Sequence, residues 1–291
     1  MARIENLRRG VQDPVVRLLR RASAHVEIPD TRLTLLALAE LTRRAREDVS
    51  VIGAGLDLAP YELRVFSQNG EDGVIAEILG RIGSGSRYFV EFGTGGGVEA
   101  NCVLLADVFD WTGLFMDGDP RLAELLERKY LGHDRISTRQ AIVRPDNVDE
   151  LFAQAGVPSE PDVLSIDIDG GDYYVWEALT TCRPRLVVIE YNSGLGPTRR
   201  LVQPTGAGPW DRTAFFGASI AALQTLGERK GYVLVHTDLS GNNAFFVRED
   251  LAGRFADPAT VPRRSSNFYL QGLAHRRDRQ RRRFVDLDAP S

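Results

Sequence analysis

The sequence predicts an α/β fold: a Rossmann-like sheet, mostly parallel with an antiparallel last strand, that helices cover on both faces. Short, almost continuously apolar segments alternate with helical segments between residues 88 and 191, as buried parallel strands and their crossover helices do. The first of them, residues 88–92, runs directly into the glycine turn, residues 93–97, a combination typical of nucleotide-binding corners. Two later apolar segments, 231–237 and 244–248, are separated only by residues 238–243, so we expect a hairpin or close neighbours.

Residues 1–60 read as a separate helical extension. A helix-start signal at Pro29-Asp30-Thr31 precedes apolar residues at helical spacing, namely Leu33, Leu36, Ala37, Leu41 and Ala45. Such an amphipathic helix either packs on the main domain or serves as a lid or dimerisation element. A homo-oligomer formed through these helices is therefore one expectation.

The loop over residues 66–73 leads into the first helix of the main domain. Asn69 or Asp72 is suited to be the N-cap of that helix, which is followed by an apolar stripe over residues 74–82. Two amides and two carboxylates just before the first core strand equally suit a loop that faces a ligand. Both interpretations stay open.

The main domain extends over residues 61–255. Strands are expected at 88–92, 113–117, 136–142, 162–169, 185–191, 231–237 and 244–248. Helices are expected at 101–108, 120–130, 148–155, 172–179 and 218–230. The stretch 193–214 is rich in Gly, Pro and Thr, and we expect it to cover an acceptor site together with the N-terminal helices.

Residues 256–291 form a basic C-terminal tail. Its arginines follow His275 closely, at positions Arg276, Arg277, Arg279, Arg281, Arg282 and Arg283. A solvated helix face accounts for this cluster. An anion-binding arm is the alternative.

The bulk composition excludes several classes of protein. The chain has 291 residues and a net charge of −4, whereas general nucleic-acid binders carry a basic surplus, so we expect no nucleic-acid partner. No apolar run reaches the ~18 residues of a membrane span, and no signal-peptide core begins the chain. Cys102 and Cys182 are isolated, as thiols in reducing compartments are, and a single disulfide between them is the alternative. The sequence therefore predicts a soluble, cytoplasmic protein without a membrane partner.

The glycine turn fits two kinds of cofactor. A dinucleotide site requires G-x-G-x-x-G with an acidic residue about 20 positions later, but Val98 stands at the third glycine position. S-adenosylmethionine is the other candidate. Glu91 lies two residues before the turn, where a carboxylate can reach the amino-acid end of that cofactor. Asp117 ends the second strand, where a carboxylate can accept the ribose hydroxyls.

Four motifs occur in an order that is found in a known family. They are Ser67–Gly73 (SQNGEDG), Tyr88–Gly93 (YFVEFG), Ser165–Gly170 (SIDIDG) and Val188–Asn192 (VIEYN). In these motifs the chain resembles the FkbM-type methyltransferases and is similar to the related macrocin-type O-methyltransferases of natural-product pathways. The resemblance spans residues 65–250.

This resemblance implies a class I S-adenosylmethionine-dependent methyltransferase fold. It implies that Glu91, Gly93 and Gly95 lie at the cofactor and Asp117 at its ribose. The full set of expected cofactor-binding residues is Ser67, Gln68, Glu91, Gly93, Thr94, Gly95, Asp117, Gly118 and Asp167.

Acidic and amide side chains follow two neighbouring strands of the predicted sheet. Asp167 and Asp169 end one strand, and Glu190 and Asn192 end the next. Because parallel strands present their carboxyl ends at one edge, where ligands bind in this fold class, these oxygens suit Mg²⁺ or Ca²⁺. Such a metal would lower the pKa of a substrate hydroxyl, an arrangement that resembles the catechol-type O-methyltransferases.

Two alternatives without a metal stay open for the same residues. The sequence Asp169-Gly170-Gly171-Asp172 also suits a turn and a helix N-cap. A carboxylate there can also bind cofactor or substrate directly. We expect Asp167 to act in catalysis and at the cofactor as well as at the metal.

The candidate general base is His236, which falls late in a strand near the same edge, where an imidazole can deprotonate a hydroxyl near neutral pH. A structural role for this histidine is the alternative, and Tyr191 and Asp172 are further candidates. Trp210, Tyr173, Tyr174 and Trp176 are candidates for the walls of an acceptor pocket, with a place in the core as the alternative for Trp176.

Together these features predict an S-adenosylmethionine-dependent methyltransferase acting on a small molecule. We expect O-methylation of a natural-product or sugar hydroxyl, aided by a divalent metal such as Mg²⁺. Two other functions stay open: a nicotinamide-dependent oxidoreductase, and a non-catalytic binding module on the same fold.

Overall fold

The computed structural model describes residues 56–208, 210–265 and 275–289. Its strands are β1 Tyr88–Phe92, β2 Thr112–Asp117, β3 Ile136–Gln140, β4 Val163–Ile166, β5 Leu186–Glu190, β6 Leu201–Val202, β7 Tyr232–Thr237, β8 Asn243–Arg248 and β9 Val285–Asp286. Its α-helices are α1 Glu71–Ile82, α2 Val103–Asp107, α3 Pro120–Lys129, α4 Val148–Ala155, α5 Asp172–Ala178 and α6 Ile220–Lys230. Short 3₁₀ turns lie at Ala59–Tyr61, Ser193–Leu195, Glu249–Arg254 and Pro258–Thr260.

Seven strands form one sheet in the order β3-β2-β1-β4-β5-β8-β7. The first five pair in parallel, and β8 runs antiparallel to both of its neighbours, β5 and β7. Successive strands are added towards one edge of the sheet from β1 to β3 and towards the other edge from β4 onward. Ligands of open α/β sheets bind at such a switch point, here between β1 and β4. This is the strand order of the class I methyltransferase fold, and it confirms the predicted fold class.

Alternation along the strands separates two apolar layers. Phe89, Val163 and Val188 belong to the layer that α1 and α2 cover, and Val90, Leu164 and Ile189 belong to the layer under α4, α5 and α6. Successive side chains of a strand point to opposite faces, so each strand contributes to both layers. The near-continuous apolar strands are the expected result of a sheet buried on both sides.

Local signals in the sequence set the ends of the helices. Helix α3 begins with Pro120 after Asp119, whose carboxylate accepts a hydrogen bond from the backbone N–H of Arg121 at 2.7 Å. Helix α6 begins after Ser219, whose hydroxyl accepts from Ala222 N, and it ends at Gly231, whose φ is +78°. Both N-caps satisfy backbone donors that no helical carbonyl can reach.

All strands and helices expected between residues 88 and 248 are present, and their ends differ by three residues at most. The largest difference lies at β4, which ends at Ile166 instead of Asp169. Asp169 has a φ of +58°, a conformation that no strand continues. The aspartates therefore lie in the turn after β4 and not within it.

Two expectations were wrong. The N-cap position of α1 is Gly70 and not Asn69 or Asp72, and no side chain caps it. The arginine-rich tail was expected to be helical, but residues 275–289 contain the short strand β9, which pairs antiparallel with β6.

The helical extension expected over residues 1–60 falls almost entirely outside the described residues. Among the helices that the structure does describe, none has the length and apolar content of a membrane span.

Candidate functional site

The polar residues of the candidate site form one row at the carboxyl edge of the sheet. The last paired row through β2, β1, β4 and β5 consists of Met116, Phe92, Ile166 and Ile189. The next residue of each segment is polar or glycine: Asp117, Gly93, Asp167 and Glu190. Glu190 is paired with Asn243 of β8. Register alone therefore brings together residues that are far apart in the sequence.

The glycine turn passes close to the end of β4. A Cβ on Gly93, whose φ is +78°, would overlap the carbonyl oxygen of Asp167. Gly95 also has a positive φ, +58°, but a Cβ there would meet nothing within 4 Å. Gly93 is therefore required for the packing of two strand ends, whereas Gly95 leaves open space in front of the turn.

Glu91 points at the backbone beyond the turn. Its two carboxylate oxygens accept hydrogen bonds from Asn101 N at 2.7 Å and Cys102 N at 2.8 Å, directly before α2. The side chain of Asn101 donates to Ser165 Oγ at 3.0 Å. Burial raises the pKa of Glu91 to about 7, although these backbone donors oppose the shift. The carboxylate thus takes up the free N–H groups at the start of this helix.

Asp117 holds the glycine turn against the end of β2. One carboxylate oxygen accepts from Gly95 N at 3.0 Å and the other from Asp119 N at 2.9 Å. Thr94 Oγ1 lies 3.4 Å from the first of these oxygens. Gly118, the next residue, packs on Ile142, which is 64% exposed. The predicted ribose-binding carboxylate therefore lies between the turn and an apolar surface.

The loop before α1 is shaped by two buried acids. Asp72 Oδ2 accepts from the backbone N–H groups of Val65, Phe66 and Ser67 and from Ser67 Oγ, at 2.7–2.9 Å. Asp72 thus fixes the loop and does not cap the helix. Burial raises its pKa to about 6. Ser67, a predicted cofactor residue, is fully buried in this loop, whereas Gln68 is exposed.

The second of these acids, Glu71, links the loop to the far side of the sheet. Glu71 accepts from Asn69 N at 2.8 Å and Gly70 N at 2.9 Å. Its other carboxylate oxygen accepts from Asn243 Nδ2 at 2.7 Å, across 172 residues of sequence. Both Glu71 and Asn243 are at least 95% buried.

A cavity of about 190 Å³ lies in front of the glycine turn. Six of the predicted cofactor residues line it: Gln68, Glu91, Gly93, Thr94, Gly95 and Asp167. Glu71, Val98, Glu99, Asn101 and Asn243 complete its walls, and none of these residues is Lys or Arg. Ligand sites of drug-sized molecules measure about 300–1,000 Å³. The turn cavity is therefore large enough for one end of such a ligand, and its walls carry acidic and amide side chains.

Asp167, Asp169 and Glu190 form an acidic cluster, with one carboxylate oxygen of each within 4.8 Å of the others. Burial, followed by the neighbouring carboxylates, raises the pKa of both Asp167 and Glu190 well above the usual range. Glu190 Oε2 is buried and has no hydrogen-bond partner in the described part of the chain. Grouped, incompletely paired carboxylates of this kind are suited to bind a cation.

Two other polar residues of this edge have local partners. Asn192 Nδ2 donates to the carbonyls of Ala214 and Phe216, and its Oδ1 accepts from Gly194 N at 3.0 Å. Asp172 accepts from Ile168 N at 2.8 Å and Gly170 N at 3.0 Å, which shapes the turn that carries Asp169. The side chain of Asn192, a predicted metal ligand, thus binds the backbone of residues 214–216, and its role at a metal stays a prediction.

His236 is not among the residues that line the turn cavity. Its side chain is 1% exposed, and Nε2 lies 2.9 Å from Glu62 Oε1. The same glutamate accepts from Leu239 N at 2.9 Å. A register irregularity between Leu234 and His236 interrupts the pairing of β7 with β8. His236 therefore ties the segment before α1 to the last hairpin, and its role as a base stays a prediction.

Sequence reasoning missed a group of three rings that we term the aromatic cluster: Trp210, Phe216 and His275. The His275 ring stacks on Phe216 with centroids 4.8 Å apart, and its centroid lies 5.4 Å from that of Trp210. His275 Nδ1 is buried without a partner in the described residues. Burial lowers the pKa of His275, and the negative charge of Asp169 opposes this. The aromatic cluster thus lies within electrostatic reach of the acidic cluster.

Two anchors hold this part of the chain above the acidic cluster. Asn192 binds the carbonyls of residues 214 and 216, as described, and Gln203 packs on Gly170 and accepts from Gly217 N at 3.3 Å. The tail joins the same segment because Ala214 N donates to the Arg276 carbonyl at 2.8 Å. Trp210 was expected near an acceptor, but the tail histidine gave no sequence signal beyond its residue type.

A larger groove of about 600 Å³ lies elsewhere, along the outer side of α6. Arg200 in its wall is paired with Asp288, and Arg263 donates to Gln224 Oε1 at 2.6 Å. None of the predicted site residues lines this groove. We therefore base the functional argument on the turn cavity.

Comparison with known proteins gives weak similarities. No family model matches the chain, and no curated protein matches it. Among solved structures, the N-terminal domain of EvdMO1 with SAH bound shares 15% identity over 72% of this chain and 94% of its own, with a TM-score of 0.41. An O-methyltransferase family protein from Burkholderia thailandensis shares 12% over 81% and 71%, with a TM-score of 0.38. Fibrillarin from Methanococcus jannaschii, a pre-rRNA processing protein, shares 12% over 62% and 77%, with a TM-score of 0.40. Similarities at this level do not assign the chain to a family or an activity.

Proposed function

We propose that this protein is an S-adenosylmethionine-dependent methyltransferase that acts on a hydroxyl of a small molecule, as a natural product or sugar carries. One observation carries the proposal: the cavity at the glycine turn is lined by the carboxylates Glu71, Glu91 and Asp167, with no Lys or Arg in its wall. S-adenosylmethionine has a cationic sulfonium and an ammonium group, and both suit such a wall. The pyrophosphate of a dinucleotide is an anion, and the same wall repels it.

The start of α2 gives a second argument against a dinucleotide. In dinucleotide sites the pyrophosphate lies on the free N–H groups at a helix N-terminus. Here Glu91 already accepts hydrogen bonds from the corresponding groups, Asn101 N and Cys102 N, at 2.7 and 2.8 Å. A pyrophosphate would have to displace a buried carboxylate from two strong hydrogen bonds. This arrangement favours S-adenosylmethionine over a nicotinamide cofactor.

The remaining part of the cofactor would extend along the end of β2. We assign its ribose to Asp117 and Gly118, because a carboxylate accepts paired hydroxyls and the neighbouring residue has no side chain. The exposed side chain of Ile142, which packs on Gly118, would provide an apolar surface for the base. S-adenosylmethionine itself supplies the methyl group on a sulfonium that leaves readily. The chain's contribution is to align donor and acceptor.

We assign a divalent metal, Mg²⁺ in the first instance, to the acidic cluster. The donor set consists of carboxylate oxygens, which Mg²⁺ and Ca²⁺ prefer, and the buried Glu190 Oε2 has no partner in the described residues. Asp167, Asp169 and Glu190 would hold the metal, and Asn192 is left out because its amide binds backbone groups. A metal there would lower the pKa of an acceptor hydroxyl.

The acceptor would lie between the acidic cluster and the aromatic cluster. Asn192 and Gln203 hold residues 214–217 above this edge, and His275 is close enough to Asp169 for the two charges to influence each other. His236 is paired with Glu62 instead. We therefore place the acceptor-facing surface at Trp210, Phe216 and His275.

Calorimetric titration with S-adenosylhomocysteine and with NAD⁺ tests the cofactor. We expect S-adenosylhomocysteine to bind and NAD⁺ not to bind. Glu150 is an exposed carboxylate on α4, outside the turn cavity. The variant Glu150→Gln controls for the loss of a carboxylate elsewhere and should leave binding unchanged. Binding of NAD⁺ alone would favour the nicotinamide-dependent oxidoreductase and refute the proposal.

A second experiment separates catalysis from binding. Protein freed of metal by a chelator is given S-adenosylmethionine, a broad set of hydroxylated acceptors, and either Mg²⁺ or buffer. We expect transfer that requires Mg²⁺. Full activity in chelator would remove the metal from the proposal, and cofactor binding without transfer to any acceptor would favour a non-catalytic binding module.

A further inference from the structure

Asn243 is a buried residue of the turn cavity with an unused hydrogen-bond acceptor. Its side chain is 5% exposed and lines the cavity together with Glu71, Glu91 and Asp167. Nδ2 donates to Glu71 Oε1 at 2.7 Å. Oδ1 is buried and has no partner among the described residues. A buried acceptor without a donor destabilises the folded protein, so this oxygen calls for an explanation.

The partner of Nδ2 fixes the orientation of the amide. A carboxylate only accepts hydrogen bonds, so the group that faces Glu71 must be the NH₂ of Asn243. Glu71 is itself held by Asn69 N and Gly70 N at 2.8 and 2.9 Å. Rotating the amide would place its oxygen against the Glu71 carboxylate. The free oxygen therefore stays available for a ligand that donates a hydrogen bond.

The position of Asn243 in the sheet places its side chain on the same face as the carboxylates of the cavity. Asn243 is paired with Glu190 across β5 and β8, and alternation places both side chains on the face that α1 covers. Asp167 and Glu91 belong to that face as well. The cavity wall thus carries the carboxylates of Glu71, Glu91 and Asp167 beside the amide oxygen of Asn243, and all of these groups accept hydrogen bonds.

We propose that Asn243 Oδ1 accepts a hydrogen bond from the ammonium group of the amino-acid end of S-adenosylmethionine, with Glu71 as the residue that positions it. An ammonium has three donors and no acceptor, which matches a wall made of acceptors. The inference rests on the proposed function and adds a binding residue on the antiparallel strand, 150 residues after the glycine turn begins.

Calorimetry with two ligands tests the proposal. S-adenosylhomocysteine carries the amino-acid end, and 5′-methylthioadenosine has the same nucleoside and sulfur without it. Asn243→Leu should weaken S-adenosylhomocysteine about tenfold or more, the effect of one hydrogen bond to a charged group, and should leave 5′-methylthioadenosine within about twofold.

The outcomes are distinguishable. An unchanged affinity of Asn243→Leu for S-adenosylhomocysteine would overturn the proposal, and so would an equal loss for both ligands, because a purely structural effect acts on both. If the wild-type chain binds neither ligand, the proposed function itself is wrong. Should Asn243→Leu not fold, the same comparison with Asn243→Ser decides, since serine removes the amide oxygen without placing an apolar branch beside Glu71.

Discussion

Replacing Gly93 or Gly95 by alanine should have different consequences, although both glycines belong to one turn. Both have positive φ, +78° and +58°, so each alanine costs about 1–2 kcal/mol in backbone strain. The Cβ of Gly93→Ala would in addition overlap the Asp167 carbonyl oxygen, and overpacking of this kind adds about 1–3 kcal/mol. The Cβ of Gly95→Ala meets nothing within 4 Å.

These energies convert into measurable shifts of the melting temperature. One kcal/mol corresponds to roughly 2–4 °C for a domain of this size, so Gly93→Ala, at about 2–5 kcal/mol in total, should lower Tm by roughly 4–20 °C and Gly95→Ala by roughly 2–8 °C. In the proposed function, however, the space in front of Gly95 belongs to the cofactor. Gly95→Ala should therefore weaken S-adenosylhomocysteine about tenfold or more, since a methyl group fills part of the site.

Differential scanning calorimetry and ligand titration on both variants decide the matter. Equal Tm values for the two alanine variants would refute the close approach of β1 and β4 at Gly93. Wild-type affinity in Gly95→Ala would show that no cofactor approaches the turn there. The two results are independent, because Tm reports on the packing at Gly93 and the affinity reports on the space in front of Gly95.

Four further predictions follow from the charged groups of the site. The Tm of the metal-free protein should rise as pH is lowered from 8 to 5, because burial raises the pKa of Glu91 to about 7. A carboxyl group that binds its proton more tightly in the folded state adds stability as pH falls below that pKa. A fall in Tm over this range would contradict the prediction. Glu190→Gln should lose Mn²⁺ binding in calorimetry and keep S-adenosylhomocysteine binding; retained Mn²⁺ affinity would exclude the acidic cluster as the metal site. Asp117→Ala should weaken S-adenosylhomocysteine about tenfold or more by removing a charged acceptor, and unchanged affinity would remove Asp117 from the ribose. S-adenosylmethionine should bind more tightly than S-adenosylhomocysteine, and the ratio of the two affinities should shrink at pH 5.5, where Glu91 is protonated. A ratio independent of pH would show that the carboxylates do not interact with the sulfonium.

The fold could be predicted because its signals are local or periodic. Apolar strands such as β5 and the cap at Asp119 carry their structural meaning within a few residues. The same holds for the glycine turn, and six predicted cofactor residues do line one cavity. Strand order adds the acidic cluster, since the carboxyl ends of parallel strands share an edge.

The sequence did not reveal contacts between side chains that are distant along the chain, and the roles assigned to His236 and Asn192 stay predictions. His236 was placed at the correct edge, but its partner is Glu62, 174 residues away. Asn192 follows Glu190 by two residues, yet it binds the carbonyls of residues 214 and 216. No periodicity encodes such contacts. Asn243 gave no sequence signal for the same reason, because its contact with Glu71 crosses the sheet.

The arginine-rich tail shows how composition alone misleads. Its charges suggested a solvated helix, but Arg282 is paired with Asp211 and Asp278, and its guanidinium lies over the ring of Phe215 at 4.3 Å. Paired guanidiniums with a side-chain anchor can hold an extended segment in place. The arginines thus help fix the tail that carries His275.

The buried carboxylates explain why the cavity should hold a cation and not merely a polar molecule. Burying a carboxylate without a cationic partner is costly, and a folded protein avoids this cost by raising the pKa and binding a proton. Such shifts occur at Glu91, Asp167 and Glu190, and the described residues that line the cavity include no Lys or Arg. A sulfonium, an ammonium or a divalent metal replaces the missing positive charge and lets these groups ionise. The negative charge of these carboxylates, which is costly in the empty site, would therefore select cationic ligands. Methyl transfer neutralises the sulfonium and would weaken the binding of the product, S-adenosylhomocysteine.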